Sequence, residues 1–146
     1  MEKHEENKVY GKQQNERVKK LQELVILGLA VGDSLGSTSE FYIPKDVEKL
    51  VEEFKVEGWP RKQVGGGMMR WKRGQPTDDT EMAMCILRSF SSQGKFECED
   101  ITRQFITWIS SGPRDAGATT RKTLSNAKKC IENKESYLGG GHADFK

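Results

Sequence analysis

Apolar residues in this chain recur at intervals of three and four in five blocks, each bounded by Gly or Pro, and no stretch shows the alternation of a strand. The first block, Val18, Leu21, Val25 and Leu29 with Leu24, Ile26 and Leu27 beside them, predicts a well-buried helix that ends at Gly32 or Gly36. Pro44 suits a first helical position. Ile43, Val47, Leu50, Val51 and Phe54 then form one stripe that Gly58-Trp59-Pro60 stops. A third helix starts at Thr77-Asp78-Asp79-Thr80 and carries Met82, Cys85, Ile86 and Phe90 before Gly94. A fourth, from near Asp100, holds Ile101, Phe105, Trp108 and Ile109 and stops at Gly112-Pro113. A fifth follows Asp115-Ala116-Gly117 and runs to about Ile131, with Leu124 and Ala127 inward. The expected fold class is all-α, a helical bundle.

A chain of 146 residues suits one domain, and a hydrophobic share of 34% gives it a thin but adequate core. The expected division is a flexible polar arm over 1–16, a helical domain over 17–132 and a Gly-rich tail over 133–146. With 24 Lys+Arg against 22 Asp+Glu, the formal net charge is only +2, so no long-range field points to nucleic acid or an anionic membrane. No apolar run approaches the roughly 20 residues of a membrane span, and the polar start lacks the apolar centre of a signal peptide, so a cytoplasmic location is expected. Cys85, Cys98 and Cys130 are odd in number and widely spaced, which disfavours a disulfide framework or a zinc site. The two histidines, His4 and His142, lie in the polar ends, so any chemistry falls to carboxylates and the cations they hold.

Three segments carry candidate chemistry. Thr77-Asp78-Asp79-Thr80 offers two adjacent carboxylates and two hydroxyls, hard oxygen donors that suit Mg²⁺ or Mn²⁺ rather than Zn²⁺. The same residues also read as a helix start, with Asp78-x-x-Glu81 as a capping box. Gly28-x-x-x-Gly32-Asp33-Ser34-Leu35-Gly36 places glycines at intervals of four, which allow close helix packing or a sharp stop, and Glu40 follows in a loop. Gly112-Pro113-Arg114-Asp115-Ala116-Gly117 leads into a helix start that can face an anion, present Asp115 to hydroxyls, or simply cap itself with Asp115. Between the first two segments, residues 58–76 form a long loop with Gly65-Gly66-Gly67 and five basic residues, Arg61, Lys62, Arg70, Lys72 and Arg73.

Taken in order, Gly32-Asp33-Ser34-Leu35-Gly36 with Glu40-Phe41, then Gly74-Gln75-Pro76-Thr77-Asp78-Asp79-Thr80-Glu81-Met82, then Trp108 with the segment Gly112 to Arg121, resemble the ADP-ribosylglycohydrolase family. The likeness is to its dinitrogenase reductase-activating type and covers about residues 22 to 130. It implies an all-helical hydrolase that cleaves the bond between ribose C1 and a nitrogen or oxygen of an ADP-ribosylated protein side chain, or of another ADP-ribose derivative. The family uses two Mg²⁺ or Mn²⁺ ions. Thr77, Asp78 and Asp79 match its first group of metal ligands, Glu40 its entrance acid, and Asp115 the Asp of its substrate-contacting segment, with Gly117, Ala118 and Thr119 shaping the adjoining pocket. Members are about twice as long and carry a later Asp-x-Asp-Thr motif, whereas after Asp115 this chain has only Glu132, Glu135 and Asp144. The resemblance therefore implies an N-terminal half, with at most partial metal binding. An uncovered apolar face that favours self-association is also expected. The alternative reading is a truncated, non-catalytic relative that binds ADP-ribose or a protein partner.

Overall fold

The computed structural model describes the backbone of residues 2–55, 58, 59 and 61–133, and side chains from residue 16 onward within those ranges. The expected Gly-rich tail, from 134 on, and the Pro60 stop lie outside the described residues. Among the described residues there are five helices, α1 (Glu2–Gly36), α2 (Pro44–Glu53), α3 (Asp78–Gln93), α4 (Cys98–Ser110) and α5 (Ala118–Glu132). Among the described residues there is no strand, only a single antiparallel bridge between Gly66 and Trp71, so the fold is all-α. No helix among them is long and apolar enough to cross a membrane.

The helix ends follow local chemistry. Pro44 opens α2, where its missing N–H costs nothing. Thr77 caps α3, and Gly94, with φ of 67°, closes it in the left-handed conformation that glycine tolerates. α1 begins earlier than its apolar pattern: residues 2–16, expected as an arm, continue the same helix backward. Glu, Lys and Gln are good helix formers, and extending an existing helix avoids the cost of nucleation.

α3 packs on α4, α4 on α5, and α1 meets α3. Ile101 in α4 and Leu124 and Ala127 in α5 are buried, as their spacing predicts. A separate cluster joins Leu50 of α2 to Trp59 and Val64, with Tyr42, Val47, Val51 and Phe54 packed around it. The expectation of a well-buried first helix fails. Val18, Leu21, Leu24, Val25, Leu27 and Val31 are 48–68% exposed, because α3 is the only helix that α1 packs against among the described residues. Gly28, Gly32 and Gly36 likewise meet nothing, so their spacing serves no close helix contact there; α1 simply stops at Gly36.

The loop over 58–76 is anchored rather than loose. Trp59 Nε1 donates to the Leu35 carbonyl at 3.1 Å, and Thr38 Oγ1 donates to the Gly65 carbonyl at 2.9 Å. Gly65 and Gly67 are required for this docking: a Cβ would fall 2.5 Å from the Trp71 carbonyl oxygen or 2.7 Å from that of Thr38, and both have positive φ. The loop thereby closes over the end of α1 and delivers the chain to the start of α3.

Candidate functional site

Three separate segments meet where α1 ends and α3 begins. Asp33, Ser37 and Glu40 come from the last turns of α1 and the turn after it, Thr77 and Asp79 from the start of α3, and together they line an open cavity of about 270 Å³. Asp78 and Asp115 do not line it. Both lie close enough for their charges to act on Glu40, so the loop before α5 completes the acidic mouth. Of the sequence-expected residues, Glu40, Thr77 and Asp79 thus share one cavity, while Asp78 and Asp115 stand outside its lining and act on Glu40 through their charge. Gly117, Ala118 and Thr119 form the cap and first residues of α5, all exposed and outside the cavity lining.

Asp33 organises the meeting of α1 and α3. Its Oδ1 accepts the Thr77 hydroxyl at 2.7 Å, and its Oδ2 accepts the Thr77 N–H at 2.9 Å, the Thr80 N–H at 3.3 Å and the Thr80 hydroxyl. One carboxylate from α1 therefore satisfies donors that the first turn of α3 would otherwise leave unpaired. Next to it, buried Ser34 receives the amide of Gln63 from the loop. The expected capping box does not form. The cap is Thr77 rather than Asp78, its hydroxyl accepting the Asp79 N–H at 3.4 Å, and Glu81 is committed elsewhere, accepting Trp108 Nε1 of α4 at 2.7 Å. Asp33 is the site residue that sequence reasoning missed. Its place between two glycines at a helix end was the available signal, because a charged residue there has no packing role.

The electrostatics of the mouth are frustrated. Glu40 Oε2 is buried and has no hydrogen-bond partner. Burial, followed by the charges of Asp115, Asp78, Asp33 and Asp79, raises the pKa of Glu40 above its ordinary 4.5. Asp115 is likewise raised from 3.8, by burial first and by Asp78 next; the Ala116 N–H and Arg121 oppose the shift, and Asp79 adds to it. The turn carries backbone strain as well, since Phe41 beside Glu40 has a φ of 67°. Arg114 ties the Asp115 loop down by donating to the Met69 carbonyl at 2.9 Å and lying 6.0 Å from the centre of the Trp71 ring. Arg61, Lys62, Arg70, Lys72 and Arg73 are all exposed.

The donor set fits a hard divalent cation in part. Converging carboxylates with one orphaned oxygen are the chemistry that Mg²⁺ or Mn²⁺ relieves, and Mg²⁺ keeps several waters beside one or two carboxylates. Among the described residues, however, no three His, Cys, Asp or Glu side chains form a group able to hold a metal ion by themselves. The mouth is a one-sided wall of oxygen donors rather than a closed cage.

Comparison with known proteins assigns the chain to a family. The family model for ADP-ribosylglycohydrolase matches residues 14–143. The ADP-ribosyl-(dinitrogen reductase) glycohydrolase of Rhodospirillum rubrum is 43% identical over 98 residues, which are 67% of this chain and 31% of that protein. ADP-ribosylarginine hydrolase Tri1 of Pseudomonas putida is 36% identical over 106 residues, 68% of this chain and 26% of the relative. Its namesake in Serratia proteamaculans is 32% identical over 111 residues, 71% of this chain and 27% of the relative. The chain thus spans less than a third of the length of these curated relatives.

Proposed function

Because the chain belongs to the ADP-ribosylglycohydrolase family, we propose that it supplies the acidic wall of a site that hydrolyses the bond between ribose C1 and a nitrogen or oxygen of an ADP-ribosylated protein side chain. In this reading water adds to C1 and the side-chain heteroatom leaves with the bonding electron pair and a proton, giving free ADP-ribose and the unmodified side chain. The observation that carries it is the convergence of Glu40, Asp78, Asp79 and Asp115 from three distant segments on one mouth, at a cost in mutual repulsion that a purely structural role does not explain.

Thr77, Asp78 and Asp79 are the residues to hold Mg²⁺ or Mn²⁺, with two ions in the complete site. Such ions supply charge to orient the ribose hydroxyls and water. Glu40, with its raised pKa, is the group to move a proton at its carboxylate oxygens. In this reading Asp115 accepts hydrogen bonds from substrate hydroxyls, and Gly117 to Thr119, outside the cavity lining, would meet the substrate only beyond it. An oxocarbenium-like transition state at C1 gains from the negative mouth.

A second reading has its own support: a non-catalytic relative that binds ADP-ribose or a partner, a second copy included. The absence of a three-carboxylate group among the described residues and the exposed apolar face of α1 favour it. One assay separates the two, using the chain with Mg²⁺ and a peptide bearing ADP-ribosylated arginine or serine. Release of free ADP-ribose that Asp78→Ala and Asp79→Ala abolish supports the hydrolase. Saturable binding of ADP-ribose without release supports the second reading, and neither binding nor release overturns the hydrolase and the ADP-ribose binder alike, leaving the partner form of the second reading to a test of self-association.

A further inference from the structure

We infer that Asp33 is a positioning residue for the acidic mouth: by taking the proton of the Thr77 hydroxyl, it fixes that oxygen as an acceptor facing the cavity. A threonine hydroxyl has one proton and two lone pairs. Here the proton is spent on Asp33 Oδ1 at 2.7 Å, while the Asp79 N–H, a backbone donor to the same oxygen, stands at 3.4 Å. Thr77 is 4% exposed, and the residue still lines the cavity. With its proton turned away, the hydroxyl offers negative rather than positive charge to whatever enters. Asp33 itself lines the same cavity, but its two oxygens already accept four donors, which fills the roughly four lone-pair sites of a carboxylate. It therefore acts through Thr77 and not by direct contact with a bound group.

The carboxylate is essential to this arrangement in a way that its shape is not. An asparagine at 33 has one oxygen and one amide nitrogen. Its favourable orientation keeps the oxygen on the Thr77 and Thr80 backbone N–H groups, since the opposite one sets donor against donor. The amide N–H₂ then faces Thr77 Oγ1, which must accept, and the hydroxyl proton is released toward the cavity. The packing is nearly unchanged while the polarity of the hydroxyl reverses.

The inference rests on the reading of the mouth as a cation seat for its affinity consequence, but the orientation of Thr77 is measurable without any metal. The full chain and its Asp33→Asn and Thr80→Val variants would be titrated with Mn²⁺, free ion being read by electron paramagnetic resonance. In metal-free protein the three-bond coupling from the Thr77 hydroxyl proton to Hβ would report which way that hydroxyl points. Thr80→Val removes one hydrogen bond to Asp33 but leaves the Thr77 contact, so it destabilises without reorienting. The expected result is Mn²⁺ affinity lowered about 10- to 100-fold by Asp33→Asn, the range for residues that orient metal ligands. Thr80→Val should keep wild-type affinity, and the Thr77 hydroxyl should hold one orientation in the wild type and lose it in Asp33→Asn. Equal affinities and an unchanged hydroxyl coupling in Asp33→Asn would overturn the inference, as would losses of affinity in both variants that follow only their losses of stability. If the wild type itself fails to bind Mn²⁺, the cation reading falls, and the hydroxyl comparison alone decides the role of Asp33. Should Asp33→Asn not fold, the wild-type coupling decides: a Thr77 hydroxyl that averages or points into the cavity overturns the inference.

Discussion

α1 and α3 meet in two regions of opposite character. At the end of α1, Asp33 gathers four donors from Thr77 and Thr80, so the polar contact is satisfied within the chain. Farther back along α1, Val18, Leu21 and Val25 face Ile86, Leu87 and Phe90 of α3 across an open apolar groove of about 570 Å³, and these side chains are 36–68% exposed. The difference shows what this stretch of the family fold holds by itself. The wall of the acidic mouth is built by directional bonds that need nothing outside the described residues, whereas the apolar side of α1 leaves water on surface that a helix of this composition ordinarily buries.

If the polar junction is the self-sufficient one, cutting it has the largest effect. Asp33→Ala strands the first-turn donors of α3 and is expected to cost about 3 kcal/mol, from several charge-assisted hydrogen bonds whose contributions are not additive. In a domain of this size that lowers the thermal midpoint by about 10 °C, measurable by circular dichroism.

A smaller effect of opposite sign is expected inside the mouth. Glu40 has a raised pKa in the folded chain, so the folded state holds its proton more tightly than the unfolded state. Its penalty is fully present above the folded value and vanishes as the pH falls below the ordinary 4.5. Glu40→Gln should therefore raise the thermal midpoint by about 1–2 °C at neutral pH, a value reduced for solvent screening, and the gain should disappear on acidification. A midpoint that falls at neutral pH, or a gain that persists in acid, would remove the frustration assigned to this carboxylate.

The smallest change in stability belongs to the apolar region. Leu21→Lys with Phe90→Lys should cost less than about 0.5 kcal/mol at each site, because both side chains are more than half exposed. The same pair should reduce any self-association seen by sedimentation velocity at high protein concentration. A large loss of stability would mean that the groove is packed in solution, and the contrast between the two regions would close.

Much of this contrast is legible in the sequence, though not evenly. Helix ends are local events, so Pro44, Thr77, Gly94 and Gly112-Pro113 announce them, and the stripe from Val47 to Phe54 names the residues that pack around Leu50. Order and flanks also bring Glu40, Thr77 and Asp79 to one cavity. What the pattern hides depends on neighbours distant in the chain. Leu21 and Val25 look like core because apolar spacing describes a face and not what covers it. Asp33 looks like a helix residue beside a glycine, since its partners Thr77 and Thr80 lie more than forty positions away. Glu81 reads as part of a capping box, but Trp108, on another helix, donates to its carboxylate. The polar residues 2–16 form helix because propensity alone extends α1 beyond its apolar face.

The most direct measurement is the thermal midpoint of the chain against increasing Mg²⁺ or Mn²⁺, with NaCl at matched ionic strength as the control for simple screening of the carboxylates. A cation seat at the acidic mouth requires a rise beyond the salt control, equivalent to about 2.7 kcal/mol when the ion reaches a hundred times its dissociation constant. It also requires that the rise be lost when Asp78 and Asp79 are both replaced by Asn. A midpoint that moves no further with millimolar Mg²⁺ or Mn²⁺ than with NaCl would contradict the assignment.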